Sequence, residues 1–199
     1  MSNIAYEYER NGLNIRIFYD ESPENPRDWD NVGTMVCSHR NYNLGDEQLE
    51  ASEYENWEDV RKNLLIKERK AVIILPLFLY DHSGITMYTT GDTRYRQHEA
   101  WDSGQVGFIY CTQEDIDREW NGDKEAAKKY LEGEIKTYDQ YLTGDVYGFS
   151  IKNKHGEDVD SCWGFYGIEY AKEEANSVAD NYQHPHQAAY AKSARQLHQ

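Results

Sequence analysis

The chain has 199 residues, with 36 Asp and Glu against 21 Lys and Arg for a formal charge of −15, and 14% of it is aromatic. That length suits one domain with a sizeable core, and 17 Tyr, 5 Trp and 5 Phe supply enough surface to bury that the composition argues against disorder. No apolar run nears the roughly 20 residues of a membrane span, three scattered cysteines make no disulfide framework, and the net charge has the wrong sign for direct binding to nucleic acid or an anionic membrane surface.

Leu13–Tyr19 alternates apolar and polar positions, which predicts a half-buried strand with Leu13, Ile15 and Ile17 on one face. Residues 20–30 hold Pro23, Pro26 and five acids, a loop composition. Residues 33–39 form a second predicted strand, with Met35, Cys37 and His39 on one face, and 41–45 are turn-rich. Ser52 and Glu55 have capping-box spacing, and Asn56 can cap a helix over 57–67 with Trp57, Val60 and Leu64 on one side. The strongest core signal is 71–80, a β-branched and aromatic run that reads as a strand buried on both faces. Pro76 inside it cannot donate a ladder hydrogen bond, so a bulge or a sheet edge is expected there.

Residues 81–84 read as a turn, 85–90 as the returning strand, 91–103 as a longer loop, and 104–110 as a further strand of an antiparallel meander. Thr112 caps a helix with acids in its first turn, Asn121-Gly122 breaks it, and Asp123 opens a longer one. Ala127, Tyr130, Leu131, Ile135, Tyr138 and Leu142 recur there at helical spacing, and Gly144 ends it. Residues 145–152 and 159–163 read as strands around a turn at 153–156, and Ile168, Ala171, Ala175 and Val178 stripe a last helix. The expected fold is α+β, a mainly antiparallel sheet of about five to seven strands packed by two or three helices. It forms a single domain over 1–180, with a Gln/His/Ala-rich tail at 181–199.

The charge is concentrated. Residues 1–60 hold fourteen carboxylates against four cations, and the rest of the chain 22 against 17. A solvated acidic face is the plainer reading of such a run. The sharper one is a surface that steers toward a cationic partner, with Asp20, Glu21, Glu24, Asp28, Asp30, Asp46, Glu47, Glu50, Glu53 and Glu55 as its contacts.

Catalytic signals are thinner. Asp81, His82 and Ser83 have the residue types of a hydrolytic triad, but three consecutive residues cannot form its linear relay. With Trp101, Asp102 and Ser103, which stand just before the neighbouring predicted strand, they make a candidate polar site, against the plainer reading of turn residues satisfying backbone groups. Cys37, His39, Cys111 and Cys162 could be drawn together by zinc, yet no paired ligand spacing anchors such a site and buried thiols are the commoner use. No metal and no cofactor is expected, and the glycines fit no nucleotide fingerprint.

Several blocks resemble a family of small acidic proteins encoded by bacteriophages and other mobile elements. They are Pro26-Arg-Asp-Trp-Asp-Asn-Val-Gly-Thr-Met-Val-Cys37, Asn43-Leu-Gly-Asp-Glu47, Leu75-Pro-Leu-Phe-Leu-Tyr-Asp-His-Ser-Gly-Ile-Thr86, Trp101-Asp-Ser-Gly-Gln-Val-Gly-Phe-Ile-Tyr110, Tyr138-Asp-Gln-Tyr-Leu-Thr-Gly-Asp-Val-Tyr-Gly-Phe149 and Asp160-Ser-Cys-Trp-Gly-Phe-Tyr-Gly167. The resemblance implies a mobile-element origin and action in the cytoplasm of an infected bacterium, and it brings no catalytic residues. With the acidic N-terminal third, it sets the leading expectation: an inhibitor of a bacterial defence nuclease, anti-CRISPR or anti-restriction, whose carboxylates stand where phosphates would lie. The competing expectation is a small enzyme acting through the polar site.

Overall fold

Asn11 and Gly12 both adopt left-handed backbone, with φ of 53° and 75°. That is the two-residue geometry whose twist matches an antiparallel hairpin, and it joins β1 (Ile4–Arg10) to β2 (Leu13–Tyr19). The computed structural model describes residues 3–81, 84–91 and 103–182. Next in it come β3 (Thr34–Cys37), β4 (Glu47–Gln48), a one-turn α1 (Trp57–Asp59) that runs on as a π-helix over Val60–Glu68, β5 (Ala71–Asp81) and β6 (Ile85–Tyr88). The remainder is β7 (Ser103–Thr112), α2 (Gln113–Trp120), α3 (Lys124–Thr143), β8 (Val146–Asn153), β9 (Asp158–Tyr166) and α4 (Ile168–Asn181). The fold is α+β, as expected, but its strands divide between two mostly antiparallel sheets. The described residues likewise sort into two compact units, 3–23 with 145–182 and Glu24–Gly144, where the sequence shows no boundary.

In the first unit the strand order is β1-β2-β8-β9. Leu13, Ile15 and Ile17 share one face with Tyr147, Phe149, Ile151 and Phe165, and α4 covers that face through Ala171, Ala175 and Ala179. Three alanines four residues apart bring the helix backbone close to the sheet. Beside them runs a polar row. Lys172 sits 4.6 Å from the ring centroid of Tyr6, the Tyr8 hydroxyl donates to Asn176 at 3.0 Å, and Arg10 donates twice to Asp180 at 2.7 Å. Four residues of helix rise about 6 Å and two of strand about 6.7 Å, so the two periods stay in step over this row. On the opposite face the Trp163 indole lies across Gly148, where a Cβ would stand 2.1 Å from the ring, and its neighbour is Phe18 at 5.8 Å between centroids.

The second unit orders its sheet β4-β3-β7-β5-β6. Met35, Cys37, Leu75, Leu77, Leu79, Ile109 and Cys111 face α2 and α3, which contribute Ile116, Ala127, Leu131, Ile135 and Tyr138. The alternate residues Val36, Phe108 and Tyr110 face Val60, Leu64 and Leu65 of the π-helix. The second face is therefore covered over β3, β7 and the start of β5. Farther along β5 only Leu75, Leu77 and Leu79 are buried and Pro76, Phe78 and Tyr80 stay half-buried, so the burial on both faces expected of this run is met only in part. β6 pairs with β5 only from Phe78 onward and the register shifts between Leu77 and Phe78, so Pro76 has both the local edge and the nearby bulge that a proline needs. The helix expected over 57–67 begins as predicted, with the Asp59 N–H donating to Asn56 at 3.0 Å. It then widens, because bonding five residues apart aligns Val60 with Leu65 on the buried side. Residues 51–53, expected to open with a capping box at Ser52, form a single 3₁₀ turn.

Candidate functional site

Residues 24–30 are an acidic loop with one cation, and that cation is withdrawn. A 3₁₀ turn over Pro26–Asp28 starts at Asn25, whose side chain accepts from the Arg27 N–H at 3.0 Å. Pro26 at its first position fixes the backbone where no donor is needed. The turn points Arg27 inward and leaves Asp28, Trp29 and Asp30 exposed.

Inside, the guanidinium donates from Nε and Nη2 to the two carboxylate oxygens of Asp46, at 2.9 and 2.6 Å. Nη1 reaches Glu134 of α3 at 2.7 Å, and Nη2 also reaches the Gly33 carbonyl at 2.6 Å. Glu134 takes the Val32 and Gly33 N–H groups on its other oxygen, and Asp46 takes the Met35 N–H. Burial works against the Arg27 charge, but the hydrogen bonds with Asp46 and Glu134 outweigh it and hold the pKa above the ordinary arginine value. Gly33 admits this approach, since a Cβ there would stand 2.5 Å from Leu131 and 2.9 Å from Glu134. Asn31 clips the loop from outside, donating to the Pro26 and Trp29 carbonyls at 2.8 and 3.1 Å.

Beside the loop lies an open cleft of about 350 Å³, bounded by Trp29, Asn31, Lys129, Tyr130 and Thr137, with Arg27 and Glu134 at its floor. Trp29 is 44% exposed and Tyr130 46%. Tyr130, expected within the buried stripe of α3, instead leans on Trp120 at 5.2 Å between centroids.

The ten carboxylates expected on one contact surface have different fates. Asp20 and Glu21 belong to the first unit, where Asp20 accepts the Ser22 N–H at 3.0 Å and Glu21 is exposed. Asp46 turns inward to Arg27, with its side chain 24% exposed, and Glu47 pairs with Arg69 at 2.7 Å. Glu24, Asp28, Asp30, Glu50, Glu53 and Glu55 are exposed. Sequence reading passed over Arg27, although a lone cation among five acids between residues 20 and 30 is a signal that could have marked it.

Of the candidate polar site, His82, Ser83, Trp101 and Asp102 lie outside the described residues. The expected neighbourhood of its two strands is present, since Tyr80 pairs with Ser103 in the β5–β7 ladder. Asp81 is exposed and accepts from the Tyr42 hydroxyl at 3.3 Å. Cys37 and Cys111 are buried among the apolar residues beneath α2 and α3, Cys162 is exposed in the first unit, and His39 stacks on Tyr42. Among the described residues no three His, Cys, Asp or Glu side chains gather as a metal ion would need. No helix of the described residues is long and apolar enough to cross a membrane. Comparison with protein-family models, curated proteins and solved structures finds no match to this chain.

Proposed function

We propose that the protein works by binding, and that the loop of residues 24–30 is its contact with a cationic macromolecule. The observation that carries this reading is the inward turn of Arg27. Its guanidinium serves Asp46, Glu134 and the Gly33 carbonyl, so the one positive charge of the loop leaves the surface. Glu24, Asp28 and Asp30 remain outside with Trp29 among them, on a backbone held by Asn25 and Asn31. A rigid acidic loop with a central indole has the features of an interface anchor: aromatic area at low entropy cost and carboxylates that steer a basic partner. The partner class that fits is a Lys/Arg-lined nucleic-acid channel, whose own affinity comes largely from phosphate contacts that carboxylates can imitate. Together with the resemblance to mobile-element proteins, this favours a host defence nuclease, a CRISPR effector or a restriction enzyme, as the target.

The test is phage plating on bacteria that carry defined CRISPR or restriction systems and express the protein. Protection of the phage should be lost in the triple variant Glu24→Lys, Asp28→Lys, Asp30→Lys, with the circular dichroism spectrum retained. Protection that survives those reversals and disappears in His82→Ala would replace this reading with the polar site.

A further inference from the structure

We infer that the cleft between Trp29 and Tyr130 receives an arginine-bearing segment of the cationic partner, its guanidinium lying against the two exposed rings. This rests on the reading of residues 24–30 as the contact loop, and it names what that contact grips. The two rings bound one cleft and are close to half exposed, although neither is needed there to close a core. The Trp29 indole N–H points to a Glu24 oxygen at 3.4 Å, which fixes a carboxylate at the edge of that ring. Asp28 and Asp30 flank the same residue and are exposed. An aromatic face edged by carboxylates favours a flat, weakly hydrated cation, and guanidinium meets that description better than ammonium.

The ionised groups at the floor are already paired, because Glu134 and Arg27 are engaged with each other. Recognition therefore falls to the rim. A cleft of about 350 Å³ lies at the small end of ligand sites and has room for an arginine side chain with part of its neighbours. One rim residue, Lys129, opposes a cation, so its charge reports the sign of the occupant.

The experiment compares capped nona-arginine and nona-lysine peptides, equal in charge, by calorimetric titration of the full chain at low salt. Nona-arginine should bind about two- to fivefold tighter, the worth of an exposed cation–π contact. That advantage should vanish in Trp29→Ala and in Tyr130→Leu, the latter a change on an exposed helix surface, and should largely persist in Trp29→Phe. Lys129→Glu should tighten both peptides. Equal affinities, no binding of either peptide, an arginine preference that outlives both ring variants, or weaker binding after Lys129→Glu each overturns the inference. If in those cases Asp28→Lys with Asp30→Lys still abolishes phage protection, the contact loop stands without the arginine cleft.

Discussion

Arg27 and Glu134, 107 residues apart in the chain, meet at 2.7 Å with side chains 3% and 6% exposed. A charge pair taken that far from water is held by geometry, because every lost partner leaves an uncompensated ion. Arg27→Met leaves two carboxylates facing each other across the space of one guanidinium. It should cost about 3–5 kcal/mol, read as a shift of the urea midpoint. Adding Asp46→Asn and Glu134→Gln should recover part of that loss, since no ion is then stranded and the amide oxygens can still accept the Val32, Gly33 and Met35 N–H groups. A single variant less than about 1 kcal/mol below wild type would show the network to be solvated in solution.

Three glycines should respond to alanine in three ways. At Gly107 the new methyl would stand 2.1 Å from the Val36 carbonyl oxygen, which cannot yield unless β3 leaves β7, so this variant should be the least stable. At Gly148 the obstacle is the Trp163 ring, so the cost should be about 1–3 kcal/mol and should fall when Trp163→Ala is added. Gly133, on α3 with nothing within 4 Å of its would-be methyl, should gain about 0.5–1 kcal/mol as alanine. Thermal unfolding of the set measures all three, and equal losses at Gly107 and Gly133 would refute the packing described for both.

Thiol labelling separates the cysteines. Burial, with Asp46 adding to it, pushes the Cys37 thiol up to about 12, and burial does the same to Cys111, to about 11. Iodoacetamide at pH 8 should therefore modify Cys162 alone in the folded protein and all three cysteines in urea, counted by intact mass. Labelling of Cys37 as fast as Cys162 would mean that β3 opens on the timescale of the reaction.

The acid limb of stability should carry the mark of Asp115. Burial acts to raise its pKa, but hydrogen bonds from the Thr112 hydroxyl and N–H, reinforced by Arg118, outweigh it and hold the carboxyl below its ordinary value. Glu7 and Asp180 are held low by their hydrogen bonds from Arg16 and Arg10. A carboxyl that is more acidic folded than unfolded gives stability that is complete above the ordinary range near about pH 4 and is lost as pH falls through the lowered value. Asp115→Asn should flatten the loss of stability below that pH. A wild-type slope in the variant, followed by denaturant titrations across the range, would refute the assignment.

What the sequence discloses follows the distance over which each feature is decided. Thr112, Asp123 and Gly144 mark the ends of α2 and α3 because caps act within one turn of themselves. Leu13, Ile15 and Ile17 disclose β2 because one face of it is fully buried and the other only partly. β1 gives no clean alternation, because Tyr6 and Tyr8 stay partly exposed beside Lys172 and Asn176 of α4. The Asn11-Gly12 dipeptide is the local sign that would have found it. The π-helix depends on the spacing of contacts made by the opposite sheet, which periodicity over 57–67 cannot resolve. Arg27 lies deepest in this respect. Its partners sit 19 and 107 residues away, so its burial is a property of tertiary structure alone, and with it the inward turn of Asp46. The division into two units escaped for a related reason: no Gly- or Ser-rich linker stands at 23–24 or 144–145, because the first sheet simply resumes where it was interrupted.

That interruption has a consequence for how the chain is made. Tyr19 pairs with Tyr147, and the Asp20 N–H donates to the Val146 carbonyl at 2.8 Å, so the first sheet closes across the whole of Glu24–Gly144. The β1–β2 hairpin is translated before the whole of Glu24–Gly144, and its pairing partner β8 only after it. An isolated hairpin is marginal in water, and until β8 arrives the β2 edge offers its open ladder to any strand nearby. A nascent chain halted before residue 145 would thus carry all the residues of the second unit and a hairpin ready to be captured by another copy's β8, the starting point of strand exchange.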